Sequence, residues 1–149
     1  MPTLTLPLTA EGLAVVDVRI SLRPSRVQAL LRASQQAPPP LAGAGILDTG
    51  TSVTCIDPGV RQPLGLTPVG TVPISSAASP APVICNLYKA ELRIVHPSGN
   101  SQHDLVWSMA PMVETQVAHL GAQVLVGCDV LGQCLFVYNG RGGTFTLDY

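Results

Sequence analysis

Gly45-Ile46-Leu47-Asp48-Thr49-Gly50-Thr51-Ser52-Val53 carries an apolar run straight into an acid on a Thr-Gly turn. Leu41 to Leu47 reads as a strand and Val53 to Ile56 resumes an extended pattern, so Asp48 sits on the turn between two strands. Gly50 has no β-carbon and allows close backbone approach, and its amide can donate toward the carboxylate. An acid placed this way suits chemistry by paired carboxylates. Two that lie close cannot both ionise, so one takes a proton from water while the other protonates a carbonyl oxygen. Such a pair titrates as a unit. On its own the triplet also fits an ordinary turn begun by Asp, so the rest of the chain must decide.

Upstream, Leu13 to Leu22 alternates as a half-buried strand. Pro24 opens a short helix whose face is Val27, Leu30, Leu31 and Ser34, and Pro38, Pro39 and Pro40 end it and form a stiff connector. Downstream, Pro58 to Leu66 is a short helix or turn. Val69 to Ile74 and Val83 to Val95 are strands enclosing Ser75 to Pro82, which together make a long hairpin. Pro97 to Asn100 marks a turn. Leu105 to Met109 is a strand on which Trp107 and Met109 share a face, as core or subunit contact. Gln123 to Val126 is a fully apolar strand stopping at Gly127. Leu135 to Tyr138 and Thr144 to Tyr149 flank the turn Asn139 to Gly143 as a closing hairpin. Many short strands with little helix make an all-β chain, a closed or sandwich-like barrel, and 149 residues suit one domain.

Composition narrows the function. Hydrophobic residues make up 46% of the chain and charged ones 11%, an imbalance that fits either a large subunit interface or a well-filled core. The net charge is −1 and the basic residues are scattered except for the stretch 19 to 32; nothing there reads as a phosphate-backbone-binding face, so no nucleic-acid partner is expected. Pro63, Pro68, Pro73, Pro80 and Pro82 interrupt the uncharged stretch Gln62 to Tyr88, so it does not span a membrane. No basic residue precedes Arg19 and no unbroken apolar run opens the chain, so the expectation is a cytoplasmic protein. Cys55, Cys85, Cys128 and Cys134 have no disulfide or zinc-finger spacing, with each other or with His96, His103 and His119. Free thiols and no metal or other cofactor are expected.

Rival motifs are weak. Gly43-Ala44-Gly45 lacks the third glycine of a dinucleotide loop, and no Gly-Lys-Ser or Gly-Lys-Thr forms a P-loop. No Ser or Cys lies in a nucleophile elbow. Asp57 before Pro58-Gly59 reads as a turn residue, Asp104 as structural and Asp129 as the cap of a short helix.

Two separated motifs, Ile46 to Ser52 and Val124-Leu125-Val126-Gly127-Cys128-Asp129-Val130-Leu131, resemble those of the retropepsin family. These are the single-domain aspartic peptidases of retroviruses and their cellular and bacterial relatives. The likeness covers roughly residues 41 to 149 as the protease core, with residues 1 to 40 as an added strand and helix in the same domain. It implies a retropepsin-like barrel in which Asp48 is catalytic and Thr49, Gly50 and Thr51 support its loop. It also implies a flap at about residues 69 to 83, where Ile74, Ser75, Ser76, Ala77, Ala78 and Ser79 meet substrate. Gly127, Cys128 and Asp129 would belong to the segment that braces the dimer. Only one such triplet exists in the chain, so the second carboxylate must come from another copy, and the partners implied are the chain itself and a polypeptide. The resemblance therefore implies a homodimeric aspartic endopeptidase. Two departures stand out: Cys128 replaces the usual Arg after the glycine, and the flap tip reads Ser-Ser-Ala-Ala-Ser-Pro without the family's glycines. They motivate the alternative of a weakly active or inactive module that dimerises or binds peptides.

Overall fold

The computed structural model describes residues 1–149. In chain order the elements are β1 (Thr3–Pro7), β2 (Val15–Leu22), α1 (Pro24–Arg32), β3 (Leu41–Leu47), β4 (Cys55–Ile56), α2 (Arg61–Leu64), β5 (Gly70–Ser76), β6 (Ser79–Ile94), β7 (Leu105–Glu114), β8 (Val124–Val126), α3 (Cys128–Leu131), β9 (Leu135–Asn139) and β10 (Thr144–Asp148). The chain is mostly strand, as expected, and no helix is long and apolar enough to cross a membrane.

One sheet runs β2-β3-β8-β4-β7-β6-β5, and β2 also pairs with β6, so the ladder from β2 round to β6 returns on itself. A second sheet, β1-β10-β9, lies alongside. Inward positions follow the period of two: Val16, Val18, Ile20 and Leu22 of β2 are buried while Asp17 and Arg19 face out. Leu4 of β1 and Phe145 and Leu147 of β10 join the same core, which unites both sheets. Burying side chains of this size stabilises by about 1.5–3 kcal/mol each relative to exposure.

The placement of β8 matters most for the site. It runs parallel to β3 with Leu47 opposite Val126, and antiparallel to β4 with Cys55 opposite Leu125. A strand flanked on both edges and both faces has no reason to alternate, hence the continuous apolar Val124-Leu125-Val126. The loop from Asp48 to Thr54 therefore arches over the end of β8, where Gly127 begins.

Several expectations need correction. The first 40 residues hold two strands, because Thr3–Pro7 pairs antiparallel with β10. The helix face narrows to Val27 and Leu30, which pack on the core, while Leu31 is 58% exposed. The expected loop Ser75 to Pro82 shrinks to a two-residue turn at Ala77-Ala78, with Pro80 and Pro82 inside β6. There β6 has a neighbour on one side only, since β7 joins it at Leu87, so the missing proline N–H groups break no β6–β7 bond. Strand β7 likewise runs on through Pro111, because β4 joins it only from Val113. Trp107 and Met109 do not share a face: a bulge opposite Glu91 flips the alternation, and Trp107 packs on the core while Met109 is exposed.

Candidate active site

Asp48 follows directly on buried Ile46 and Leu47, and its own side chain is half-buried between them and the exposed Thr49 and Gly50. Its backbone is fixed twice by neighbours. Leu47 N–H donates to Ala14 O at 2.9 Å, and Asp48 N–H donates to Val126 O at 2.9 Å. Gly50 N–H reaches back to Asp48 Oδ1 at 2.8 Å, which orients the carboxylate. A β-carbon on Gly50 would lie 3.1 Å from that oxygen, so glycine permits the approach.

The second motif is stapled to the first. Cys128 N–H donates to Thr51 O at 2.8 Å, Asp129 N–H to Ser52 O at 3.1 Å, and Gly127 N–H to Thr54 Oγ1 at 3.1 Å. The Thr54 hydroxyl donates to Asp129 Oδ1 at 2.8 Å, and Thr54 N–H lies 3.1 Å from both Asp129 oxygens. The Cys128 thiol, in an exposed residue, faces Thr49 O at 3.3 Å. Gly127 must be glycine: a β-carbon there would meet Val53 C at 2.7 Å and Thr51 O at 2.9 Å, both backbone atoms. The N-cap position is Gly127, but Asp129 does serve the first turn, where its Oδ1 accepts from Val130 N–H at 3.0 Å, and the same carboxylate also reaches across to Thr54.

The surroundings are electronegative. Both ion pairs of the chain belong to Arg93, so no cation pairs with Asp48 or Asp129. Burial pushes the Cys55 thiol up, with the Asp129 and Asp48 carboxylates adding to the rise and Thr115 opposing it. Asp57 begins a 3-10 turn as its sequence suggested and also does long-range work. Its carboxylate accepts from Gly59 N–H at 2.8 Å, Val117 N–H at 2.9 Å and Ala118 N–H at 2.8 Å. Burial alone would push it up, but these three amides outweigh that and hold it below the ordinary carboxylate range. Burial raises the Tyr88 hydroxyl, and its hydrogen bond to Glu114 raises it further.

Of the expected substrate-meeting residues, Ile74 is half-buried, Ser75, Ser76, Ala77 and Ala78 are exposed, and Ser79 donates to Ala81 O at 3.2 Å. They gather at the tip of the β5–β6 hairpin. Sequence reading missed Thr54. The signal was present, since alternation turns this one polar residue inward beside Ile56, and a buried hydroxyl needs partners.

Ser98 does meet histidines, at 2.7 Å from His96 Nδ1 and 3.4 Å from His103 Nδ1. The contact is local to a turn. Ser98 N–H also faces His96 Nδ1, and His96 Nε2 lies 3.0 Å from Thr3 O with no acid behind it. No three His, Cys, Asp or Glu side chains cluster to hold a metal ion.

Neither a protein-family model nor a curated protein matches the sequence. Among solved structures, the chain is similar to the crystal structure of a retropepsin-like aspartic protease from Rickettsia conorii, at TM-score 0.59 and 11% identity, over 99% of this chain and 90% of that one. At that identity the likeness shows the fold: a retropepsin-like arrangement that spans the whole chain.

Proposed function

We propose that the chain is one half of an aspartic endopeptidase, completed when a second copy brings its own Asp48 across a twofold axis. The observation that carries this reading is the single acid loop, held from behind by the second motif through Asp48–Val126, Cys128–Thr51 and Gly127–Thr54 bonds. A turn that merely reverses the chain has no need of so many cross-braces. Exposed Leu135 and Val137 on β9, at 60% and 46%, add apolar surface of the kind a second copy covers.

In the dimer the two carboxylates share one proton. One withdraws a proton from the attacking water, the other protonates the peptide carbonyl oxygen, and the tetrahedral species collapses with proton transfer to the leaving amine. Gly50 N–H keeps each carboxylate oriented. In this reading the Thr49 hydroxyl, which is exposed, bonds to the partner loop. A polypeptide substrate would lie extended beneath the β5–β6 hairpin, adding a strand whose side chains fill alternate pockets.

Mixing tests the shared site. Adding excess Asp48→Asn chain to a fixed amount of wild type should drive activity down as mixed dimers form. Unchanged activity while sizing shows mixed dimers would refute it.

A second reading rests on Cys128. Where a guanidinium would brace the loops, this chain presents a thiol against Thr49 O, and a dimer held only by apolar contacts would be a peptide-binding module with little turnover. Tight peptide binding that survives Asp48→Asn without any cleavage by wild type would favour it.

A further inference from the structure

The geometry points to a second binding site, for a small soluble phosphate-bearing anion, in the cavity at the root of the β5–β6 hairpin. The cavity measures about 310 Å³ and is lined by Arg23, Arg26 and Lys89 together with Thr67 and the apolar Leu22, Leu66 and Val69 among others. Three of the chain's eight basic residues line it, and none of the nine acids does. That concentration in a chain of net charge −1 is the observation to explain.

The cations are uncompensated. The two ion pairs of the chain involve Arg93 alone among the basic residues. The first turn of α1 contains no acid and Arg23 has no side-chain cap bond there. The ladder between β2 and β6 ends at Leu22 opposite Ala90, and the next residues on each side, Arg23 and Lys89, both line the cavity. Glu91 is the closest acid along β6, and its carboxylate is turned to Arg93 at 3.5 Å. An anion in the cavity would meet all three cations at once.

Size and shape select the class. A volume near 310 Å³ exceeds what chloride needs and admits a pyrophosphate or a small phosphate ester, given that one water occupies about 30 Å³. Arginine forks match the oxygens of phosphate, the Thr67 hydroxyl supplies another donor, and Leu66 and Val69 can cover an ester carbon. The position gives occupancy a consequence. Val69 N–H donates to Leu87 O at 2.8 Å where the hairpin begins, and Lys89 lies two residues further along β6. A bound anion ties both hairpin strands to α1 and holds the hairpin root.

Titration calorimetry with inorganic pyrophosphate, against sodium chloride of matched ionic strength, tests the site without any use of peptidase activity. Saturable binding is expected. Arg26→Gln and Lys89→Gln, both exposed positions, should each weaken it about tenfold, while Arg141→Gln, at a residue that does not line the cavity, leaves it unchanged. Hydrogen exchange at Val69 to Thr71 should slow on binding. No saturable heat below about 10 mM, or equal weakening by all three variants, overturns the proposal. A parallel arm offers glycerol 3-phosphate in solution and phosphatidic acid in vesicles. Binding to vesicles alone would also overturn it, since the cavity is assigned to a soluble ligand.

Discussion

Asp129 holds Thr54 from both sides: its two carboxylate oxygens lie 3.1 Å from Thr54 N, and Oδ1 accepts the Thr54 hydroxyl at 2.8 Å. That hydroxyl in turn accepts from Gly127 N–H at 3.1 Å. The two motifs that the sequence separates by more than 70 residues are thus joined by one fully buried threonine. Thr54→Val keeps the shape and deletes the hydroxyl, leaving Gly127 N–H without its acceptor. The expected loss is about 1–3 kcal/mol in urea unfolding, with weakened cleavage because the Asp48 loop loses its brace.

Gly127→Ala should be worse. Its β-carbon would enter within 3 Å of Val53 and Thr51 backbone atoms, which cannot swing aside as a side chain can. We expect a destabilisation of about 2–3 kcal/mol or more and a displaced acid loop, read by calorimetry and by loss of cleavage. A melting curve like that of wild type would contradict the close approach.

The thiols should react in a fixed order. Cys128 is exposed, whereas burial raises the titration of Cys55 and Cys134, so at neutral pH both hold less thiolate. Brief treatment with iodoacetamide at pH 7.5 should label Cys128 well before Cys55 or Cys134, by peptide mass mapping. Raising the pH should narrow the gap.

Asp57 sets a pH dependence of stability. Its folded-state titration lies below the unfolded one, so its contribution is present above the unfolded value and fades as pH falls through the folded value. Asp57→Ala should cost on the order of 1–2 kcal/mol at pH 7, through three backbone amides left without their acceptor. The difference from wild type should shrink steadily on acidification below the ordinary carboxylate range. A constant difference down to strong acid would place the effect elsewhere.

Much of the core was legible from periodicity. Leu41 to Leu47, Gln123 to Val126 and the closing hairpin came through because each is short, apolar and bounded by Gly or Pro. What failed has physical causes. β1 reads Thr-Leu-Thr-Leu-Pro, too short to stand out, and it exists because β10 offers an edge 145 residues away in Thr3–Asp148. The hairpin was cut short because Pro80 and Pro82 look like breakers, although a strand with one neighbour tolerates them. A bulge, which no period reveals, turns Met109 outward while Trp107 stays on the core. Asp48 itself was legible as an acid on a Thr-Gly turn. Its support from Thr54 and Asp129 was not, because a hydrogen bond across 75 residues of sequence is a property of topology.

The most direct test is cleavage of a mixed peptide library from acidic to neutral pH, wild type beside Asp48→Asn, with products weighed by mass spectrometry. The account predicts defined cleavage products from wild type and none from the variant, with both equally folded. No products from a folded, dimeric wild type, or the same products from Asp48→Asn, would contradict it.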